Sequence, residues 1–187
     1  MQIVLASQSP RRQELLGLLK KPFQIRVADI DETIDTACAP YDEVARLSRG
    51  KALAIPRDRD ELVIAADTIV VCDGKVLGKP HSHEEAKAML SMLSGRAHQV
   101  MTGVTVLLGE QLISHTEVTD VHFRTLSHKE IDAYVESGEP MDKAGAYGIQ
   151  GGAALFVEGI AGDYYNVVGL PVCRLQQMLK EMAPELF

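Results

Sequence analysis

A short apolar run passes directly into two serines, a proline and two arginines near the N-terminus. The apolar run covers residues 3–6, and the polar segment that follows is Ser7-Gln8-Ser9-Pro10-Arg11-Arg12. Because Ser9 suits the cap of a helix and Pro10 its first position, the pattern predicts a strand followed at once by a helix. Both arginines then fall where the free N–H groups of the helix already carry partial positive charge.

A bound anion removes this electrostatic conflict, because phosphate groups bind favourably at the N-terminus of a helix. We therefore interpret the segment as a phosphate site. The alternative is that both arginines reach solvent or pair with acidic residues elsewhere in the chain.

Composition limits the classes of protein that fit the chain. With 187 residues, 46% of them hydrophobic and 24% charged, the sequence predicts one globular domain over residues 1–187, with room for two lobes. The apolar runs are shorter than the roughly 20 residues of a membrane helix, and the N-terminus lacks a signal-peptide layout, so we expect a cytoplasmic protein without a membrane partner. The net charge of -7 argues against nucleic acid as a partner, so the arginines serve a small anion.

The cysteines and histidines show no metal-binding spacing. Cys38, Cys72 and Cys173 are scattered, and we expect them to be reduced, buried thiols. His81 and His83 are interpreted as surface or helix-start residues, because no pattern of metal ligands accompanies them.

Apolar runs that alternate with amphipathic stretches predict an α/β protein with a mixed, twisted sheet and flanking helices. Asp73-Gly74 is a turn signal that predicts a hairpin between residues 68–71 and 75–77. Ser127 and Glu130 form a capping box that predicts the start of a helix. The remaining predicted elements are a strand at 23–27, helices at 41–55, 84–93 and after Pro171, long strands at 99–108 and 111–125, and a strand ending at Ile160.

Asp67 is the first candidate for chemistry. It follows the apolar run 62–66, so it is expected at or inside a buried strand, where an unpaired carboxylate is costly. A divalent cation, a lysine or a proton would each satisfy it, and the first two suit a phosphate-hydrolysing site. The alternative is a structural aspartate that caps a turn at residues 67–68.

Several other charged side chains are candidates for the same site. Asp29, Asp31, Glu32 and Asp35 form an acidic cluster of the oxygen type that hard cations prefer, and Glu32 is our choice of metal ligand. Lys51 and Lys79 each offer a positive charge to a polyphosphate, and Pro80 restricts the backbone of Lys79. The alternative for all of these residues is an ordinary solvated surface.

Residues 142–152 form a glycine-rich segment that fits neither the dinucleotide-binding pattern nor the Walker pattern. Gln150 carries a donor and an acceptor, which are enough to read the edge of a nucleobase, and the flanking glycines permit close backbone approach. We interpret the segment as a phosphate or base pocket; the alternative is a tight structural loop at the edge of the sheet.

Six motifs occur in a fixed order: Ser7-x-Ser9-Pro10-Arg11-Arg12, Ala66-Asp67-Thr68, Gly78-Lys79-Pro80, Thr119-Asp120-Val121, Asp142-Lys143-Ala144-Gly145-Ala146-Tyr147-Gly148-Ile149-Gln150-Gly151 and Val168-Gly169-Leu170-Pro171. Together they resemble the Maf family of nucleotide pyrophosphatases, nearly from end to end. The resemblance implies a fold like that of the inosine triphosphate pyrophosphatases, with two lobes around a central cleft, and often a homodimer. It also implies hydrolysis of nucleoside triphosphates to monophosphate and pyrophosphate with a divalent cation, Mg²⁺ or Mn²⁺.

Within the family, Arg11, Thr68 and Gln150 resemble the branch that acts on dTTP and UTP, with modified pyrimidine triphosphates as further substrates. The branch that prefers 7-methyl-GTP usually has an aromatic residue, a glutamine and a glutamate at these positions. One departure is Gly50, because the family often has glutamate between the residues that match Arg49 and Lys51.

The resemblance also implies roles for the candidate residues. Asp67 would deprotonate water beside a metal shared with Glu32, and Thr68 and Gln150 would select the pyrimidine. The triphosphate would be held by Ser7, Arg11, Arg12, Lys51 and Lys79. An alternative from another class is a nucleotide-sensing regulator of cell division that binds without turnover.

Overall fold

The computed structural model describes residues 1–27 and 29–186, and a mixed sheet forms its framework. The sheet contains seven strands in this part of the chain, in the order β2-β1-β3-β5-β6-β7, with β4 paired to β3. The strands are β1 (Gln2–Leu5), β2 (Phe23–Ile25), β3 (Glu61–Cys72), β4 (Lys75–Leu77), β5 (Ala97–Leu108), β6 (Gln111–Phe123) and β7 (Val157–Ala161). The helices are α1 (Pro10–Gly17), α2 (Pro40–Leu53), α3 (His83–Leu93), α4 (His128–Glu136), α5 (Tyr164–Val168) and α6 (Val172–Met182). The predicted α/β class with a mixed sheet and flanking helices is confirmed.

The sheet contains both parallel and antiparallel pairs of strands. Strand β1 runs parallel to both β2 and β3, whereas β3–β4 and β6–β7 are antiparallel pairs. Asp73 and Gly74, between β3 and β4, have φ angles of 50° and 74°. Positive φ at both central residues is what a type I′ turn requires, so the predicted hairpin is confirmed.

The chain forms two compact units. The first unit comprises Met1–Asp67, Thr102–Glu117 and Gly169–Phe187, and the second comprises Thr68–Met101 and Val118–Val168. Strand β3 passes from the first unit to the second between Asp67 and Thr68.

In the first unit, helix α2 packs closely on the sheet. Gly103 of β5 allows this approach, because a Cβ there would overlap the backbone carbonyl of Val44. The apolar core between α2 and the strands includes Val4, Ala6, Ala52, Ile55, Val63, Ala65 and Leu107. This packing fixes α2 beside β3 and thereby fixes the start of the Lys51 side chain.

The second unit is built on aromatic and hydroxyl contacts. Phe123 of β6 lies edge-on to both His98 and Tyr147, with ring centroids 5.0 and 4.8 Å apart. The Thr119 hydroxyl donates to the carbonyl of Asp163 at 2.9 Å and accepts the Asp163 N–H at 3.0 Å. The motif that contains Thr119 therefore ties β6 to the start of α5.

Some local predictions were wrong. Cys38 and Cys173 are exposed rather than buried, because Cys38 lies in the loop before α2 and Cys173 is not among the buried residues of α6, whereas Cys72 is buried in β3 as expected. Strand β2 ends at Ile25 rather than at residue 27, and the helix α5 was not predicted. Within the part of the chain that the structure describes, no helix has both the length and the apolarity to cross a membrane.

Candidate active site

The N-terminal segment 7–12 has the predicted strand-to-helix geometry. Helix α1 begins at Pro10 and Ser9 occupies its cap position, but the Ser9 side chain makes no capping bond. Instead, the hydroxyl of Ser7 accepts the Ser9 N–H at 3.2 Å and the Nη1 of Arg12 at 3.4 Å. Arg12 also donates from Nε to the carbonyl of Gly169 at 2.8 Å, so its guanidinium is held at the start of the helix.

The two arginines differ in how firmly they are held. Burial lowers the pKa of Arg12, the nearby charge of Arg11 adds to this effect, and the carboxylates of Asp67 and Glu32 oppose it. Arg11 is half-buried, and among the described residues its guanidinium has no hydrogen-bond acceptor. Two adjacent positive groups, one fixed and one available, suit an incoming polyanion.

Asp67 lies inside β3 and finds a lysine as its partner. The Nζ of Lys51, from α2, is 2.5 Å from Oδ1 of Asp67, and each of these side chains is 13% exposed. Oε1 of Glu32 lies 3.0 Å from the same ammonium group. The alternative of a turn-capping aspartate is wrong, because residues 67 and 68 belong to a continuous strand.

The carboxylates of Glu32 and Asp67 thus converge on one ammonium group, that of Lys51. Magnesium is usually held by one or two carboxylates, with substrate phosphates and water as its other ligands. Glu32 and Asp67 fit that description, although no group of three or more His, Cys, Asp or Glu side chains suited to a metal occurs among the described residues.

Other members of the acidic cluster stabilise their own loop. Asp31 accepts the backbone N–H of Thr33 at 2.9 Å, and Asp35 accepts that of Ala37 at 2.9 Å. Asp29 is exposed. The carboxylates of Asp31 and Asp35 therefore serve the loop backbone, whereas that of Glu32 pairs with Lys51, and its role as a metal ligand stays a prediction.

In the second unit, the structure brings the glycine-rich loop to the segment that contains Lys79. The N–H of Gly145 donates to the carbonyl of Gly78 at 3.0 Å, and a Cβ on Gly145 would lie 2.8 Å from Val70 of β3. Lys79 itself is exposed, while the following Pro80 is buried. Thr68 is half-buried in β3, two residues before Val70.

Gln150 lies in a tight turn. The N–H of Gly151 donates to the carbonyl of Gly148 at 3.1 Å, which closes a four-residue turn with Gln150 at its third position. The Gln150 side chain is exposed, whereas Ile149 beside it is buried. The backbone of the turn therefore presents the amide of Gln150 to solvent.

Sequence reasoning missed the carbonyl of Gly169 as the acceptor for Arg12. These residues are 157 positions apart, and a backbone carbonyl carries no sequence signature. The only available signal was the glycine itself, which has a φ of 125°.

The chain is similar to known proteins along nearly its whole length. The family model described as Maf-like protein matches residues 2–182. A protein of Symbiobacterium thermophilum named dTTP/UTP pyrophosphatase is 53% identical over 188 residues, covering 100% of this chain and 96% of that protein. A Bacillus cereus protein of the same name is 49% identical over 180 residues, covering 96% of this chain and 94% of its own length.

Two solved structures resemble this chain at low sequence identity. A HAM1 protein from Coxiella burnetii is 16% identical with a TM-score of 0.49, covering 97% of this chain and 99% of that chain. A nucleoside-triphosphatase, or dITP/XTP pyrophosphatase, from Mycobacterium abscessus is 13% identical with a TM-score of 0.47, covering 100% of both chains. The family model spans nearly all of the sequence, and relatives with 49% and 53% sequence identity cover 96% and 100% of the chain. The chain therefore belongs to the Maf family.

Proposed function

We propose that this chain is a cytoplasmic nucleoside triphosphate pyrophosphatase that hydrolyses dTTP and UTP to the monophosphate and pyrophosphate. The observation that carries the proposal is the convergence of Glu32 and Asp67 on Lys51, in the same unit as the arginines of α1. The names of relatives at 49% and 53% identity support the reaction and the pyrimidine substrates.

The positively charged side chains are assigned to the triphosphate. Arg12, fixed by Ser7 and Gly169, offers donors to phosphate oxygens, and the available guanidinium of Arg11 adds a second set. Ser7 contributes its hydroxyl, while Lys51 and Lys79 contribute ammonium groups. These groups stabilise negative charge that develops on the phosphoryl oxygens as the reaction proceeds.

Asp67 is assigned the role of general base. Its carboxylate takes a proton from water, and the water oxygen forms a bond to the α-phosphorus. The bond between the α-phosphorus and the bridging oxygen breaks, and pyrophosphate leaves. Proton transfer to a placed carboxylate typically contributes 10²- to 10⁴-fold in rate.

A divalent cation, Mg²⁺ or Mn²⁺, would be held by Glu32 and Asp67 and would supply charge stabilisation to the phosphates. Thr68 and Gln150 are assigned to selection of the pyrimidine, because hydroxyl and amide groups can pair with the edge of a base.

A panel of nucleoside triphosphates tests the proposal. The panel includes dTTP, UTP, modified pyrimidine triphosphates and the purine triphosphates, each assayed with Mg²⁺, with Mn²⁺ and with a chelator. Pyrophosphate and orthophosphate are quantified separately. We expect pyrophosphate from the pyrimidine substrates and loss of turnover in chelator; activity confined to purines would contradict the assignment.

The same panel separates an enzyme from a nucleotide sensor, since a sensor would bind the nucleotide without releasing pyrophosphate. The homodimer implied by the family resemblance is tested by sedimentation equilibrium, which should give twice the chain mass of 20.4 kDa.

A further inference from the structure

The side-chain carboxylate of Glu139 accepts a hydrogen bond from the glycine-rich segment that carries Gln150. Glu139 lies in a short 3-10 helix (Glu139–Asp142) after α4. Its Oε1 and Oε2 lie 3.1 and 3.0 Å from the backbone N of Gly152, so both carboxylate oxygens accept from one N–H. Oε1 also accepts the hydroxyl of Tyr134 at 2.9 Å.

Tyr134 connects the same carboxylate to the other end of the turn. Its hydroxyl oxygen accepts the N–H of Gly148 at 3.3 Å while its proton is donated to Glu139. The Tyr134 ring is buried and lies edge-on to Phe156, with centroids 5.1 Å apart. The two ends of the segment 148–152 are therefore tied to one rigid pair of side chains.

The glycines of this segment are explained by the same contacts. A Cβ on Gly151 would overlap the carboxylate of Glu139, and a Cβ on Gly148 would lie 2.7 Å from the Lys143 side chain. Lys143 in turn donates from Nζ to the carbonyl of Glu139 at 2.7 Å. The absence of a side chain at Gly151 therefore lets the Glu139 carboxylate contact the backbone of the loop. Any larger residue at position 151 would prevent that contact.

We propose that Glu139 is a positioning residue that, together with Tyr134, fixes the position of Gln150 and thereby determines nucleobase selectivity. The inference rests on the proposed function, in which Gln150 reads the base. Glu139 acts through the backbone: it anchors Gly152 directly and Gly148 through Tyr134, and Gln150 lies between them.

The substitution Glu139→Gln weakens this anchor. Glutamine keeps nearly the same volume and one acceptor oxygen, but it loses the negative charge and replaces the other oxygen that accepts from the N–H of Gly152 with an NH₂ group, which cannot accept. We expect the ratio of affinities between the preferred base and a mismatched base to fall about tenfold, which corresponds to roughly 1.4 kcal/mol. Tyr134→Phe removes only the hydroxyl and should change the ratio in the same direction, with the ring packing retained.

The experiment measures affinities by titration calorimetry with the α,β-imido analogues of dTTP, dCTP and dGTP, whose P–N–P link resists cleavage. A double-mutant cycle combines Glu139→Gln with Gln150→Ala. We expect Glu139→Gln to lower selectivity in the wild-type background and to have no effect on selectivity once Gln150 is removed. Glu136→Gln, at an exposed position on α4, is the matched control and should leave the ratio unchanged.

Either of two results would overturn the inference: equal weakening of all three analogues by Glu139→Gln, or an undiminished effect in the Gln150→Ala background. Thermal unfolding of each variant shows whether it is folded. If Glu139→Gln does not fold, the affinity ratios of Tyr134→Phe are used for the test instead. Absence of pyrophosphate release from dTTP would contradict the proposed function instead, and the affinity ratios remain measurable in that case.

Discussion

At the scale of the single residue, Lys51 explains how Asp67 is tolerated within a largely buried strand. An isolated carboxylate there would lose its hydration, but the ammonium at 2.5 Å offsets that cost. Glu32 approaches the same nitrogen from a more exposed position, with 56% of its side chain accessible. Lys51 therefore holds the two carboxylates close together. In the proposed reaction, Asp67 is the general base, and Glu32 and Asp67 are the metal ligands.

Asp67→Asn tests the general base. The amide keeps the size of the carboxylate but is not a base, so pyrophosphate release should fall by about 10²- to 10⁴-fold while nucleotide binding is retained. Steady-state assays and calorimetric titration measure the two quantities. Asp73→Asn, in the exposed turn after the same strand, is the control and should retain activity. Unchanged turnover in Asp67→Asn would remove Asp67 from the mechanism.

Arg11 and Arg12 should respond differently to alanine substitution. Arg12 is bonded to Ser7 and Gly169, so Arg12→Ala should weaken all triphosphates alike, by about 10- to 100-fold in KM. Arg11 belongs to the set that the family resemblance links to substrate choice, so Arg11→Ala should alter which nucleotide is preferred. The measurement is kcat/KM across the nucleotide panel. Equal effects of the two substitutions would reduce the motif to a general anion site.

At the scale of the element, α2 is the helix that delivers Lys51, and it contains a glycine at position 50. Among the described residues, a Cβ at Gly50 would meet only the Cδ1 of Ile30, at an ordinary contact distance of 3.4 Å. Gly50→Ala should therefore stabilise the helix by about 0.5–1 kcal/mol, or roughly 1–4 °C in Tm. Calorimetric unfolding tests this, and a lower Tm would contradict it.

Gly103→Ala is the opposite case, because its Cβ would overlap the backbone of Val44. In the same calorimetric measurement it should lower the free energy of unfolding by about 1–3 kcal/mol or more.

Elements with local signals were predicted correctly, whereas long-range contacts were not. The Asp73-Gly74 turn and the Ser127–Glu130 capping box depend on residues within four positions, and both are present. The bond between Arg12 and Gly169, and that between Glu139 and Gly152, depend on how distant segments pack. For Asp67 the sequence indicated that a partner was needed, but only the packing of α2 on β3 identifies Lys51 as that partner.

At the scale of the whole molecule, each unit contains ionisable groups whose pKa depends on folding. In the first unit, hydrogen bonds from Arg26 and the backbone of Asp58 lower the pKa of Glu61 to about 2. In the second, Arg124 and Ser127 lower that of Glu130 to about 2. Burial, with a smaller contribution from His122, lowers the pKa of His98 to about 4. The shifts of Glu61 and Glu130 stabilise the folded state near neutral pH, because both carboxylates are charged there. The shift of His98 contributes nothing at neutral pH, where the ring is neutral in both states, and it destabilises the folded state as the pH falls below 6.5.

The pH dependence of unfolding should therefore show a contribution from His98. Between its folded pKa of about 4 and its ordinary value of 6.5, the unfolded chain binds a proton at residue 98 that the folded chain does not. The free energy of unfolding consequently falls as pH decreases across this window, by up to about 1.4 kcal/mol per pH unit from this group, and Glu61 and Glu130 steepen the fall below about 4.5. Urea denaturation followed by circular dichroism at a series of pH values measures the slope. His98→Gln should flatten it between pH 4 and 6.5 and leave the lower region unchanged, whereas His128→Gln, at an exposed position, should retain it. An identical slope in His98→Gln and the parent chain would show that protonation of His98 does not control acid stability.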